Sequence, residues 1–290
     1  MDFFDLHCDS PYEAQKRGES FIDGDLAVTV NKGELFRKWA QICAVWIPDE
    51  CLNPKERYRR IVDYFRAETE ICTDAKTLES DRAFVLSLEG GAVIDTLDDV
   101  DMLYSDGVRV VTLTWNGKNK IAGGSNTAAP LTDFGREVIE KLNYLKMVTD
   151  LSHLNDRSFS EVIKCAKYPI ATHVCCRDVY HVRRNITDEQ IKAITQKGGI
   201  IGLCLYPKFL GDGDVFSDFY AHLYHLCDMG LSDFLAIGSD FDGAKMDKRL
   251  DSIDKMPILY NYLKLNGFND KLLYKLFYKN AKDYFLQITE

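Results

Sequence analysis

Short runs of apolar, largely β-branched residues recur along the chain, and most are followed by a stretch whose apolar positions fall at helical spacing. Eight such runs stand out: Phe3 to His7, Gln41 to Ile47, Ala83 to Leu88, Val108 to Thr114, Met147 to Leu151, Pro169 to Thr172, Gly199 to Leu205 and Phe234 to Gly238. A strand followed by a helix, repeated, is the pattern of successive β/α units. Helices are expected over Lys55 to Thr73, with its stripe of Tyr, Ile, Val and Phe, and over Phe134 to Leu145, where Val138, Ile139, Leu142 and Leu145 share a face. The segment after Asn185 opens with Thr187-Asp-Glu-Gln190, the arrangement of a capping box. Runs such as VRVVTLTW, GIIGLCL and FLAIGS are apolar almost without interruption, as strands of a parallel sheet buried on both faces must be. A count of eight predicts closure into a (β/α)8 TIM barrel, with a doubly wound open sheet as the alternative. No repeat, low-complexity tract or long linker interrupts the series, so residues 1–290 are expected to form a single barrel domain.

Composition narrows the function classes. The chain is 46% hydrophobic and 28% charged, as a folded globular protein is, and its 36 basic against 45 acidic residues leave a formal charge of -9. Such a field repels a nucleic-acid backbone, so no nucleic-acid partner is expected. The nine cysteines contain no CxxC pair, and MDFFDLHCDS lacks the basic and long apolar stretches of a secretory signal. A reduced, cytoplasmic setting is expected, with Cys175 and Cys176 as free buried thiols. No apolar run reaches the roughly 18 residues that span a bilayer, so no membrane association is expected.

The chemistry collects where the runs end. In a β/α barrel the active site forms at the carboxyl ends of the strands. Here the first run ends in His7-Cys8-Asp9, the third in Glu89-Gly90-Gly91, the fifth in Ser152-His153, the sixth in His173 and the eighth in Asp240-Phe241-Asp242-Gly243. His7 and Asp9, two apart on extended chain, can grip one ion from the same side. Glu89 can bridge two ions, and imidazoles from two further strands, His153 and His173, suit zinc. Each residue alone reads as a turn aspartate, a solvated glutamate or a packing histidine; their concurrence at strand ends favours a metal. Five donors exceed one ordinary zinc site but suit two ions that share Glu89 and a water or hydroxide, and hydrolysis is the reaction class that follows. Asp240 is placed to carry a proton to a leaving amine, with Asp242 as the turn residue. One of Arg177, Arg183 and Arg184, in the loop after His173, can clamp an anion. His222 and His225 read as helix-surface or packing residues, and His181 as a loop residue.

These residues resemble the membrane (renal) dipeptidase family, zinc peptidases of the wider amidohydrolase type. The likeness runs through DLHCDS, LEGG, LTWN, the FGREVIEKLN helix with DLSH after it, THVCCRDVYHVRRN and GSDFDG, in order over nearly the whole chain. It implies a metallopeptidase with two zinc ions per chain, His7 and Asp9 on one, His153 and His173 on the other, and Glu89 between them. It further implies that Arg184 receives the terminal carboxylate of a dipeptide, that Asp240 contacts the substrate amine, and that Tyr206 lies on the pocket wall. Dipeptides with a carboxyl-terminal D-residue fall within the implied range. The chain departs from mammalian members at Trp115, where they carry a histidine that stabilises the tetrahedral intermediate; Trp115 is expected to shape the pocket and Asn116 to offer a polar contact. The alternatives are a metallohydrolase of the same type acting on a cyclic amide, lactone or phosphoester, and a barrel without catalysis. The segment KLLYKLFYKNAKDYFL is expected to cover the barrel or to contribute to a homodimer.

Overall fold

The computed structural model describes residues 1–289. Eight parallel strands close in chain order: β1 (Asp2–Cys8), β2 (Lys38–Trp46), β3 (Arg82–Glu89), β4 (Val108–Thr112), β5 (Val148–Asp150), β6 (Pro169–Val174), β7 (Ile201–Leu203) and β8 (Leu235–Ile237). Pairing of Asp5 with Ile237 joins the last strand to the first, which rules out the open sheet. All eight runs read from the sequence are strands. The second starts at Lys38, ahead of Gln41, because Lys38 and Trp39 still pair with Asp2 and Phe3.

Alternation sorts the side chains into two cores. Phe4, Leu6, Ile42, Val85, Val110 and Ile170 belong to one buried cluster within the barrel, and the residues between them, such as Phe3, Cys43, Leu86, Val111 and Ala171, join a second one beneath the helices. Tyr278, Ala281, Tyr284 and Phe285 of the C-terminal segment join the inner cluster, with the Phe285 ring 5.5 Å from that of Phe4. KLLYKLFYKNAKDYFL therefore covers the barrel at the end where the strands begin.

The helix expected over Lys55 to Thr73 is shorter, Pro54–Arg66. Ile71 pairs with Phe84, and the Cys72 N–H donates to the Phe84 carbonyl at 2.7 Å, which draws the chain out of the helix and alongside β3. The helix after β4 runs Asp133–Tyr144, its first turn capped by the Thr132 hydroxyl accepting from the Gly135 N–H at 2.8 Å. Thr187 and Gln190 form the expected capping box, with bonds of 3.3 and 2.9 Å.

Two breaks in strand pairing position the site. Between the pairs Asp5 with Gln41 and Cys8 with Cys43, β1 carries one residue more than β2. Between the pairs Ala171 with Ile201 and Val174 with Leu203, β6 likewise carries one more than β7. An extra residue breaks the alternation of a strand. Leu6 lies in the inner cluster and Cys8 in the outer, so His7 is free to turn inward beside Leu6. By the same device Thr172 and His173 are neighbours on the barrel's inner side, between Ala171 and Val174 of the outer cluster.

Candidate metal centre

The structure brings His7, Asp9, Glu89, His153, His173 and Asp240 together at the carboxyl ends of the strands, all of them buried. Their donor atoms fall into overlapping groups: His7 with Asp9 and Glu89, Glu89 with His153 and His173, and His7 with His173 and Asp240. Asp9 reaches the centre by a route the sequence does not show. It is not on extended chain but turns into the helix Ser10–Arg17, its N–H donating to the Phe241 carbonyl at 2.8 Å. Asp240 is fixed beside it by its own N–H, which donates to the His7 carbonyl at 3.2 Å.

Glu89 divides its carboxylate between the two sides. One oxygen, Oε2, lies 3.5 Å from His7 Nε2; the other, Oε1, lies 2.8 Å from His153 Nε2 and 3.6 Å from His173 Nε2. Asp9 Oδ2 is 3.5 Å and Asp240 Oδ1 4.0 Å from the same His7 nitrogen. A carboxylate with each oxygen on a separate donor set has the disposition of a bridge between two cations.

The charges point the same way. Burial works against a proton on His7, but the Glu89 and Asp9 carboxylates outweigh it and hold the imidazole well above its usual pKa. Burial likewise works to raise Glu89, and His7 and His153 overcome it, keeping it well below the usual carboxylate range. Asp9 is raised by burial and by Glu89, and Asp240 by burial, to about 7. His153 is pushed down to about 4 by burial and Arg184, and His173 is held well below its usual value by burial and His7. A neutral imidazole carries one N–H and one lone pair, so each of these rings has a nitrogen lone pair available for a cation.

The residues fit a pair of divalent cations. His7 Nε2 and Asp9 Oδ1 are buried without a hydrogen-bond partner, a costly state that a cation relieves. Gly243 borders the same carboxylates, and a Cβ there would overlap Asp9 Oδ2 and Asp240 Oδ1. Imidazole with carboxylate is a donor set that zinc accepts.

A cavity of ≈ 710 Å³ opens onto this cluster, within the range of small-molecule sites. Trp115 forms one wall, its ring 5.1 Å from Trp46 and 6.4 Å from His153. Tyr206 also lines the cavity, with Phe209, ring centroids 4.9 Å apart. Asn116 also lines the cavity, but its Oδ1 is already engaged by His153 Nδ1 at 3.0 Å and by the Ser125 hydroxyl at 2.8 Å. The three arginines part company. Arg177 is committed to Asp156, at 2.8 and 2.9 Å, and to the Asn185 carbonyl, and Arg183 is exposed at the cavity mouth. Arg184 is buried in the wall with its Nε unpartnered, and its pKa is lowered by that burial.

Sequence reasoning missed Trp46, which ends β2 opposite Glu89 and would have been found by inspecting that strand's end as the others were. Asp242 is the turn residue expected, accepting from the Ser10 hydroxyl at 2.6 Å and the Ala27 N–H at 3.0 Å. His222 and His225 lie away from the cavity: His222 is a core residue, and His225 is 2.8 Å from Asp188. His181 is exposed, and all nine cysteines are free, Cys175 and Cys176 among the buried ones. Among the described residues no helix is long and apolar enough to cross a membrane.

Residues 43–288 match the family model of membrane dipeptidases, peptidase family M19. His7 and Asp9 precede that stretch. An uncharacterized protein in the pqqA 5' region of Klebsiella pneumoniae is 33% identical over 230 residues, 74% of this chain and 83% of its own. Dipeptidase 3 of Rattus norvegicus is 26% identical over 241 residues, 77% of this chain and 49% of its own, so this chain spans about half of that relative. A metallopeptidase from Rhodobacter sphaeroides, solved with a phosphinate mimic of the dipeptide L-Ala-D-Ala, superposes with a TM-score of 0.89 at 22% identity, covering 100% of this chain and 99% of its own.

Proposed function

The chain belongs to the membrane dipeptidase family, peptidase family M19, and from that premise we propose that it is a dipeptidase working with two zinc ions in one barrel domain, residues 1–290. His7, Asp9 and Glu89 would hold one ion and Glu89, His153 and His173 the other. The observation that carries this reading is the division of the Glu89 carboxylate between His7 on one side and the two remaining imidazoles on the other. Bound there, the ions supply a lowered pKa for water and polarisation of a peptide carbonyl.

The chain's own groups do the rest. Asp240, raised to about 7 by burial, can hold a proton near neutral pH and pass it to the departing amine. The buried Arg184 guanidinium, with Nε unpartnered, offers its fork to the free carboxylate of a dipeptide. A longer peptide lacks a charge at that position, so the same contact sets substrate length. Trp46, Trp115 and Tyr206 give the substrate apolar walls and reduce water in the cavity. Substrates with a D-residue at the carboxyl end belong to the proposed range, as the bound dipeptide mimic of the Rhodobacter sphaeroides neighbour suggests. The test is a panel of dipeptides, their carboxyl-terminal amides, tripeptides and simple esters offered to zinc-loaded protein. Cleavage of dipeptides alone supports the reading; cleavage of esters but no dipeptide overturns it.

A further inference from the structure

Below the imidazoles lies a buried polar layer that the function described so far does not use. Asp150, at the end of β5 and wholly buried, reaches the strands on both sides. Its Oδ2 accepts from the Thr112 hydroxyl of β4 at 2.6 Å and from the Thr172 hydroxyl of β6 at 2.7 Å. Its Oδ1 accepts from the N–H groups of Ser152, at 3.0 Å, and Thr172, at 2.9 Å. The Thr172 oxygen in turn lies 2.8 Å from His173 Nδ1.

A threonine hydroxyl has one proton to give and two lone pairs. With the Thr172 proton directed at an acceptor-only carboxylate, its oxygen can only accept from the ring, so the His173 proton sits on Nδ1. The lone pair of the ring is then on Nε2, the atom 3.6 Å from Glu89 Oε1. The extra residue in β6 makes this possible, because it puts Thr172 and His173 side by side on the inner face. Gly202 and Gly238 keep the same layer clear, since a Cβ at either would overlap the Thr172 carbonyl oxygen. His153 is held differently, by the neutral Asn116 amide.

We propose that Asp150 is a positioning residue for His173, acting through the Thr172 hydroxyl to keep the ring's proton on Nδ1 and its Nε2 lone pair on the metal side. Outer partners of this kind fix the tautomer of a ligating histidine, and losing them weakens metal binding about 10- to 100-fold. The inference rests on the two-zinc reading and concerns the ion that Glu89, His153 and His173 would hold.

The experiment measures zinc affinity of metal-stripped protein by competition with a chelator of known strength, for wild type, Thr172→Val, Thr172→Ser and Thr112→Val, with thermal unfolding of each metal-free protein alongside. Thr172→Val is expected to lose about 10- to 100-fold at one of two sites, and Thr172→Ser to return to within a few-fold of wild type. Thr112→Val removes an equivalent bond to Asp150 without touching His173 and is expected to bind zinc as wild type does. Wild-type affinity in Thr172→Val, or equal losses in Thr172→Ser or Thr112→Val, overturns the inference. Independently of any variant, zinc-loaded wild type with 15N-labelled histidine should show a solvent-protected proton on His173 Nδ1; a ring protonated on Nε2 contradicts the proposal. A wild type that takes up no zinc overturns the two-zinc reading and this inference with it, whereas zinc-binding wild type beside an unaffected Thr172→Val overturns this inference alone.

Discussion

The Nε2 atoms of His153 and His173 stand 2.9 Å apart. Each ring has its Nδ1 against an oxygen, Asn116 Oδ1 at 3.0 Å and Thr172 Oγ1 at 2.8 Å, so both Nε2 atoms direct lone pairs into the same small space. Burial keeps a proton from relieving the conflict, because both rings have pKa values below the ordinary one. A cation held by these two rings and Glu89 would turn the repulsion into coordination.

Metal removal should therefore loosen the fold and not merely silence the site. Zinc at a thousand times its dissociation constant adds about 4 kcal/mol of stability to the protein that binds it. Thermal unfolding with excess zinc, compared with chelator-stripped protein, is expected to show a rise of several degrees in the midpoint. Identical midpoints would contradict the placement of the donors.

Arg184→Met should damage recognition of one charge and little else. Loss of a bond between charged groups costs about 1.5–3 kcal/mol, so kcat/KM for dipeptides is expected to fall about 10- to 150-fold. Residual turnover of a dipeptide amide, which has no carboxylate to lose, should stay where it was in wild type. Equal losses on both substrates would deny Arg184 its role.

Asp240→Asn removes the proposed proton carrier while nearly keeping the shape. A fall of about 10²- to 10⁴-fold in kcat with unchanged zinc content is expected. Asp240 also shares a donor group with His7 and His173. Loss of one zinc in this variant would make it a ligand in place of a proton carrier.

His222 predicts a pH dependence remote from the centre. Its Nδ1 accepts from the Cys176 N–H at 3.1 Å and its Nε2 faces the Leu210 carbonyl at 2.9 Å, an arrangement only the neutral ring satisfies. Burial lowers its pKa below 6.5. The unfolded chain then binds the proton first as pH falls, so stability is retained above 6.5 and lost on acidification below it, by at most about 1.4 kcal/mol per pH unit. Urea unfolding of metal-free protein at pH 7 and pH 5 should show a smaller drop for His222→Gln than for wild type. An equal drop would remove His222 as a source.

Much of this was legible in the chain because it depends on period and position. Apolar runs gave the eight strands, and polar residues at their ends gave His7, Glu89, His153, His173 and Asp240. What stayed hidden depends on pairing between strands. The extra residues in β1 and β6 that turn His7 and His173 inward are visible only against β2 and β7. Asp150 and Thr172 sit inside short apolar runs and look like ordinary strand residues until their neighbours are known. Residue type and position alone did not sort the three arginines, and only the family resemblance singled out Arg184, because an arginine's partner, such as Asp156 for Arg177, comes from another element. The helix expected to reach Thr73 stops at Arg66 for a similar reason, the pairing of Ile71 with β3.

Titration of metal-stripped protein with zinc, followed at each step by dipeptide hydrolysis, tests the two-ion centre most directly. Activity is expected to stay low through the first equivalent and to rise to its plateau as the second binds, with Glu89→Gln unable to complete the pair. Full hydrolysis by the stripped protein, or a plateau reached with a single equivalent, would contradict it.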